Sequence, residues 1–341
     1  MPNAVMTDAI DRLAGGQDLS ADEAAAVLDE IMEGDSSEAQ AAAFLIALRT
    51  KGETVPEIAG LARVMRKRAV RVEAGGELVD TAGTGGGRPT FNVSTTAALV
   101  AAGAGCRVAK HGNRSATSQC GSADVLEALG ARIDLEPAAV ADCIETVGFG
   151  FMFAPRHHRA MRHLVPVRKE LAVRTVFNLL GPLTNPAGAP RQVIGVSDPA
   201  YLERIAGALG ELGTEGALVV SSADGLDELS ASGPTRVVEL KAGSLDAYEV
   251  TPEQVGLEPV ADGAVGAGMP EQNAEVLRRV LAGAQGPERS LTVMNAGAAI
   301  YVSGGARSLE SGARRAEEAI DAGAARAVLE AFVARTRELA G

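Results

Sequence analysis

Residues 79–96 read VDTAGTGGGRPTFNVSTT, the pattern of a strand, a glycine-rich loop and the start of a helix. A short apolar strand pattern runs into glycines at positions 83, 85, 86 and 87, and an alanine-rich helix pattern restarts at Ser94. Glycine loses more conformational freedom on folding than any other residue, so such a cluster indicates that a bare backbone is needed, usually for an approaching anion. The free amides and dipole of a helix start also favour an anion. We therefore predict a diphosphate-binding loop; the alternative is a tight turn closed by an ordinary serine cap.

Two familiar phosphate loops do not match this stretch. The dinucleotide-binding fingerprint needs the spacing GxGxxG and an acidic residue about twenty positions later, and residues 100–110 contain no carboxylate. The mononucleotide loop needs a lysine directly after its last glycine, which is absent here. The spacing excludes both.

A second polar cluster, KHGNRSATSQCGSAD at residues 110–124, follows the next predicted strand. Strand ends meet at one edge of an open α/β sheet, so this cluster should lie beside the glycine loop. Its amide, hydroxyl and cationic side chains are suited to phosphate and hydroxyl groups, whereas the alternative is an ordinary solvated loop.

Three further features concern charge. The adjacent acids Asp227 and Glu228 follow the strand pattern GALVVSS, and two carboxylates with substrate phosphate oxygens suffice for magnesium, although such pairs also occur on solvated turns. Arg168 can offer its planar guanidinium to a carboxylate, or be plain surface charge. The histidines at 157, 158 and 163 lack the spacing of a zinc site, and we predict none.

The wider pattern predicts two domains. Residues 8–72 have the apolar spacing of helices, and from residue 76 strands and helices alternate, which favours a largely parallel sheet flanked by helices. We predict an α/β protein with a small N-terminal helical domain, residues 1–72, plus a larger α/β domain made of residues 76–171 and 187–341. The apolar, proline-broken segment 172–186 is expected to return to the helical domain.

Composition excludes several classes of protein. The chain has 341 residues and a net charge of −12, which argues against nucleic-acid binding, and its aromatic content is only 3% with no tryptophan. Cys106, Cys120 and Cys143 lack the spacing of a disulfide framework and are expected to be reduced core residues. No signal or membrane-spanning segment is apparent, so we expect a cytoplasmic protein that does not bind a membrane.

Taken together, the motifs GTGG, NVST, KHGNR, GSADVLEALG, FAPRHH, VRKEL, RTVFNLLGPLTNP and GLDE resemble the anthranilate phosphoribosyltransferase family, whose enzymes act in tryptophan biosynthesis. The resemblance covers the chain from its first helices to its last. It implies a nucleoside phosphorylase/phosphoribosyltransferase-like fold, a homodimer formed through the helical domain, the cofactor Mg²⁺, and the substrates anthranilate and phosphoribosyl pyrophosphate (PRPP).

The resemblance also implies roles for individual residues. The metal would be held by Ser94, Asp227 and Glu228. Anthranilate would be held by Gly83, Asn113, His158 and Arg168. No covalent catalytic residue is implied, and Lys110, His111 and Arg168 would position the substrates. PRPP would be bound by Gly83, Gly86, Gly87, Thr90, Asn92, Val93, Ser94, Thr95, Lys110, His111, Gly112, Asn113, Arg114, Ser115, Ala116, Thr117, Ser118 and Ser122.

One position departs from the family pattern. Gly87 stands where the family usually has aspartate, in the motif GTGGD, and the following turn is slightly shorter. The loop therefore lacks one carboxylate near the implied pyrophosphate, while the Asp227–Glu228 pair remains.

Two other functions stay open from the sequence. A pyrimidine nucleoside phosphorylase-like enzyme would share the fold, but would bind free phosphate and a nucleoside, and the runs KHGNR and NLLGPLTNP argue against it. A non-catalytic, nucleic-acid-binding relative would keep the scaffold alone, but the negative charge and the intact acid pair argue against that function.

Overall fold

The computed structural model describes residues 2–115 and 119–340. Four helices begin the chain, and serine or threonine side chains cap three of them: Ser20 and Thr54 form capping boxes with Glu23 and Glu57, and Ser37 accepts from the Gln40 amide. These helices are α1 (Ala4–Ala14), α2 (Ala21–Glu33), α3 (Glu38–Lys51) and α4 (Val55–Arg68).

The rest of the chain is built on one seven-stranded sheet with the order β3-β2-β1-β4-β5-β6-β7. The first five strands are parallel to one another, and the last two are antiparallel additions at one edge. The strands are β1 (Leu78–Gly83), β2 (Arg107–Gly112), β3 (Phe149–Phe153), β4 (Arg191–Gly195), β5 (Gly216–Ser222), β6 (Thr235–Lys241) and β7 (Ser244–Val250).

Eleven further α-helices in the described residues connect or cover these strands. They are α5 (Val93–Gly103), α6 (Ser122–Ala128), α7 (Pro137–Val147), α8 (Ala154–His157), α9 (Val165–Leu171), α10 (Phe177–Leu183), α11 (Leu202–Glu211), α12 (Pro270–Leu281), α13 (Pro287–Val302), α14 (Leu309–Asp321) and α15 (Ala324–Leu339). In the described part of the chain, no helix is long and apolar enough to cross a bilayer.

Apolar side chains alternate between the two faces of the sheet. Val193 and Leu218 belong to a core that contains α5 and α13, whereas their neighbours Ile194 and Val219 belong to a second core that contains α1–α4 and α11. Successive side chains of a strand point to opposite faces, so both faces are buried, as parallel sheets require. The prediction of a helical domain and a largely parallel, helix-flanked sheet is confirmed.

The segment 172–186 packs among the N-terminal helices. Phe177, Leu180 and Leu183 are buried in the same core as α1–α4, and the Arg66 guanidinium of α4 donates to the Leu183 carbonyl at 2.6 Å. The same core also includes Ile194 and Val219 of the sheet, so the division that joins residues 172–186 to residues 1–72 stays a prediction. Leu164 and Val167 lie in that core as well.

Three elements were not foreseen. β6 and β7 form a hairpin whose turn residues Ala242 and Gly243 both have positive φ, the backbone of a type I′ turn. The buried helix α13 has apolar residues all round, so its sequence lacks a one-sided pattern. Residues 311–339 have the pattern of one long helix but form two, because Gly323 adopts φ +71 between α14 and α15.

Candidate active site

A cavity of about 950 Å³ opens at the carboxyl ends of the parallel strands, where open α/β sheets bind ligands. Every residue predicted for the site that the structure describes lines this cavity. Ala116, Thr117 and Ser118 lie outside the described residues. The lining members of the predicted set are Gly83, Gly86, Gly87, Thr90, Asn92, Val93, Ser94, Thr95, Lys110, His111, Gly112, Asn113, Arg114, Ser115, Ser122, His158, Arg168, Asp227 and Glu228.

The glycine loop is closed by Asp227, which comes from the loop after β5. The Gly85 amide donates to Asp227 Oδ2 at 2.9 Å. A Cβ atom on Gly83 would lie 2.7 Å from the same oxygen, and one on Gly87 would lie 2.7 Å from Oδ1 and 2.8 Å from the Asp227 amide nitrogen. The loop is therefore bare because this carboxylate and its backbone approach it closely. A side chain at position 87 requires a backbone shift.

Arg88 ties the same two loops together. Its backbone amide donates to the Gly225 carbonyl at 2.7 Å, and its guanidinium bonds Asp224 at 3.1 Å and also pairs with Asp262. Asp224 in turn accepts from the hydroxyls of Ser222, Ser230 and Ser232. This network, which includes Arg88 of the short GRPT turn, fixes the position of the loop that carries Asp227 and Glu228.

The start of α5 presents polar groups to the cavity. The Asn92 side chain does not cap the helix; its oxygen accepts from Asn273 Nδ2 at 2.9 Å and from the Cys120 thiol. Thr95 is fully buried, and its hydroxyl has no hydrogen-bond partner in the described part of the chain. Because buried polar groups are nearly always paired, an unpaired hydroxyl beside a helix start and a cavity is suited to a bound oxygen.

Lys110 lies beneath the cavity and is only 1% exposed. Its ammonium group donates to the Thr81 carbonyl at 2.5 Å and to the Ser94 hydroxyl at 3.3 Å. Burial lowers the pKa of Lys110, and the carboxylates of Asp80 and Glu228 oppose this. The lysine therefore links β1, β2 and α5 from within the protein.

Asp80 and Asn185 fix the end of β2. Asp80 Oδ1 accepts from the His111 amide at 3.1 Å, and Asn185 Nδ2 donates both to Asp80 Oδ2 at 2.7 Å and to the Ala109 carbonyl at 2.8 Å. Burial raises the pKa of Asp80 to about 6, against the opposing effect of Lys110. The TNP motif after α10 thus holds the strand that carries Lys110 and His111.

Glu228 is half-buried and lines the cavity. Burial raises its pKa to about 8, with a further contribution from the neighbouring Asp227, while Lys110 and the Ser94 amide oppose the shift. Burial also raises the pKa of Asp227. Both acids are half-buried at the cavity wall, which disfavours the alternative of a solvated surface turn.

Two imidazoles lie side by side at one wall, with the rings of His111 and His158 5.1 Å apart. Burial holds the pKa of His111 well below its usual range and lowers that of His158 to about 4, so both are neutral at pH 7. His111 Nδ1 lies 3.2 Å from the Gly181 carbonyl, which can only accept, so this nitrogen carries the proton. His111 Nε2 is then an acceptor, and it has no partner among the described residues.

The remaining predicted cations differ in their surroundings. Arg168 of α9 lies at the cavity wall with its guanidinium 5.5 Å from the centre of the Phe177 ring, and burial lowers its pKa. Arg114 instead pairs with Asp124 at 2.8 Å and with Glu127 at 2.5 Å. Asn113 Oδ1 accepts from the Arg114 amide at 2.7 Å.

Sequence reasoning missed Arg174, Arg88 and the Asp80–Asn185 pair. Arg174 also lines the cavity, and its Nη2 donates to the Thr84 carbonyl of the glycine loop at 3.2 Å. Arg174 lies in the segment 172–186, which was expected only to pack on the helical domain, so no local sequence pattern identifies it as a site residue. The role of Asn185 depends on partners 76 and 105 residues away, which sequence spacing does not reveal.

The donor set fits magnesium. Mg²⁺ prefers oxygen ligands and is commonly bound by one or two carboxylates together with substrate phosphates. Asp227, Glu228 and the Ser94 hydroxyl supply oxygens at one side of the cavity. Among residues 2–115 and 119–340 no group of three or more His, Cys, Asp or Glu side chains forms a cage for an ion.

Comparisons with known proteins agree with this geometry. The helical bundle domain of the glycosyl transferase family matches residues 7–69, and its a/b domain matches residues 75–326. Anthranilate phosphoribosyltransferase from Rubrobacter xylanophilus is 55% identical over 340 residues, which covers 99% of each chain. The crystal structure of the Thermus thermophilus enzyme is 46% identical with a TM-score of 0.91, covering 97% of this chain and 99% of that one.

A third relative shows ligands. The Saccharomyces cerevisiae anthranilate phosphoribosyltransferase in complex with PRPP and Mg is 29% identical with a TM-score of 0.89, covering 99% of each chain. This chain therefore belongs to the glycosyl transferase family with helical bundle and a/b domains, and within it to the anthranilate phosphoribosyltransferases.

Replacing Glu228 by glutamine should change how stability depends on pH. The pKa of Glu228 is raised in the folded state, so the unfolded chain ionises first and the carboxyl costs stability increasingly as pH rises from about 4.5 to about 8. We expect Glu228→Gln to raise the free energy of unfolding at pH 8 by on the order of 2 kcal/mol and to flatten the pH dependence. Urea titrations at several pH values measure this.

The exposed Glu258→Gln is the matched control and should leave the profile unchanged. The same pH dependence in the wild-type protein and Glu228→Gln would contradict the burial of an ionisable carboxyl here.

Adding one methyl group at position 87 should disturb the loop. The Cβ of Gly87→Ala would press on the Asp227 amide and the Gly225 carbonyl, which cannot move without displacing the acid pair. We expect kcat/KM for PRPP to fall by on the order of tenfold or more. Gly233→Ala, which adds a methyl group where no atom lies within 4 Å, should retain wild-type kinetics. Equal kinetics for both variants would show that the glycine loop tolerates a side chain.

Proposed function

We propose that this protein transfers the 5-phosphoribosyl group from PRPP to the amine of anthranilate and releases pyrophosphate, as a step of tryptophan biosynthesis. The observation that carries the proposal is that a bare glycine loop, a helix start and two adjacent carboxylates line one cavity with the half-buried Arg168. Relatives 46–55% identical over nearly the full chain are anthranilate phosphoribosyltransferases.

The reaction needs no covalent intermediate. The lone pair of the anthranilate amine forms the bond to C1 of the ribose, while the bond from C1 to the diphosphate oxygen breaks and its electron pair leaves with pyrophosphate. The amine loses its proton after the new bond has formed, so no general base is obligatory. Mg²⁺, when bound, neutralises charge on the diphosphate.

The chain's own residues then have three tasks. The glycine loop from Gly83 to Gly87 and the first turn of α5 bind the diphosphate and ribose phosphate through amides and hydroxyls. Lys110, buried beneath them, contributes positive charge without leaving its partners. Asp227, Glu228 and Ser94 hold the metal. Once the substrates fill the cavity and displace water, such fixed charges stabilise a departing anion more strongly than in solution.

Arg168 binds the anthranilate carboxylate, with Asn113 and Gly83 at the same subsite. The guanidinium lies 5.5 Å from the centre of the Phe177 ring, and its planar set of donors is suited to a carboxylate. His111 and His158 flank the approach as neutral rings, so they add no positive charge that would compete with Arg168 for the carboxylate.

We also propose that the protein is a cytoplasmic homodimer. The exposed apolar side chains Val5 of α1 and Ile46 of α3 support a contact through the helical domain. Cys106, Cys120 and Cys143 are buried thiols, in keeping with a reducing compartment. Sedimentation equilibrium tests the dimer, and Ile46→Lys should favour the monomer if α3 carries the contact.

Consumption of anthranilate should require both PRPP and magnesium. We expect the anthranilate fluorescence to decay only when both are present, and chelation of the metal to stop the decay, because the Asp227–Glu228 site then cannot offset the diphosphate charge. Phosphorolysis of thymidine without any use of anthranilate would instead support the nucleoside phosphorylase alternative.

Arg168→Ala should affect one substrate selectively. Loss of a charged hydrogen bond of about 2 kcal/mol corresponds to about a thirtyfold rise in KM for anthranilate, with a much smaller change for PRPP. Lys169→Ala, on the exposed side of the same helix, is the control and should leave both values unchanged. Equal weakening of both substrates would mean that Arg168 acts through the fold.

A further inference from the structure

Arg174 reaches the glycine loop from the connection between α9 and α10. Ala172 ends α9 with a left-handed backbone, φ +52, and turns the chain so that Arg174 faces the loop. Its Nη2 donates to the Thr84 carbonyl at 3.2 Å, and its Nη1 occupies the space that a Cβ atom on Gly86 would need. The absence of a side chain at Gly86 therefore makes room for this guanidinium.

The charge of Arg174 is not neutralised by a close carboxylate. Within the described residues, Arg88 and Arg114 each pair with two acids, whereas no carboxylate oxygen lies within 4.0 Å of an Arg174 nitrogen. Its single hydrogen bond in this part of the chain uses one of its five N–H donors. Arg174 is half-buried at the cavity wall, and its charge opposes the burial that raises the pKa of Asp227.

We propose that Arg174 contacts the diphosphate of PRPP and stabilises the negative charge that this group takes up as the bond to C1 breaks. The inference rests on the proposed function and adds a residue to it. A planar guanidinium can donate two parallel hydrogen bonds to phosphate oxygens. Its position against Gly86, inside the loop that is suited to the diphosphate, places those donors beside the leaving group rather than beside the aromatic acid.

A purely structural role makes a different prediction. If Arg174 only held the Thr84 carbonyl, a lysine could supply the same hydrogen bond. Loss of that hydrogen bond would loosen the whole glycine loop. If Arg174 binds the diphosphate, the loss should follow the diphosphate alone, and lysine should replace it poorly because an ammonium group lacks the planar pair of donors.

The test is calorimetric titration of the full-length protein with pyrophosphate and, separately, with ribose 5-phosphate, both in the presence of magnesium. We expect Arg174→Met to weaken pyrophosphate binding at least tenfold and Arg174→Lys to weaken it three- to tenfold. Ribose 5-phosphate binding and KM for anthranilate should stay within twofold of the wild-type values. Arg162→Met removes the same charge from the rim of the same cavity and should change neither affinity by more than twofold.

The proposal would be overturned by wild-type pyrophosphate affinity in Arg174→Lys when Arg174→Met either keeps wild-type affinity or fails to fold. An equal loss of pyrophosphate affinity in Arg174→Met and Arg162→Met would also overturn it. So would a parallel loss of ribose 5-phosphate binding in the Arg174 variants. Thermal unfolding of each variant identifies loss of folding. Failure of the proposed function would be recognised separately, as a wild-type protein that consumes no anthranilate, and the pyrophosphate titration would still decide the contact.

Discussion

The hydrogen bond from the Gly85 amide to Asp227 joins two loops that are 142 residues apart in the chain, and the site depends on it. The two loops follow β1 and β5, with β4 between them in the sheet. Asp227 lies against Gly83 and Gly87 of the glycine loop and against Gly195 at the end of β4. A side chain at any of these three positions would collide with it. The cost of these glycines in conformational entropy is offset only if the close approach is used.

Charge in this protein is separated between surface and site. The chain carries a net charge of −12, yet the cavity brings together Lys110, Arg168 and Arg174. The carboxyls of Asp227 and Glu228, whose pKa values are raised, line the same cavity. Enclosing like-charged groups destabilises the fold, and such groups are typical of functional sites, where stability is lost to activity. The surrounding network from Arg88 to Asp224 keeps these groups in place.

The parts of the fold and site that sequence could predict are those with local patterns. The glycine loop, the Lys110–Asp124 cluster and the Asp227–Glu228 pair each follow a strand, and strand ends share an edge, so their convergence followed from the alternation of elements. The hairpin β6–β7 and the buried helix α13 lack a clear one-sided pattern. Arg174, Asp80 and Asn185 act through contacts with distant segments, and the burial of Glu228 depends on how the loop packs.

We propose that the glycine loop and the acid pair form one binding site for a metal-bound diphosphate. A crystal structure of this protein with PRPP and Mg²⁺ is the decisive measurement. We expect the diphosphate to lie against the amides of residues 83–87 and the first turn of α5, with the metal on the Asp227 and Glu228 carboxylates. A diphosphate bound elsewhere, with Asp227 still accepting from Gly85 and no metal on either carboxylate, would contradict it.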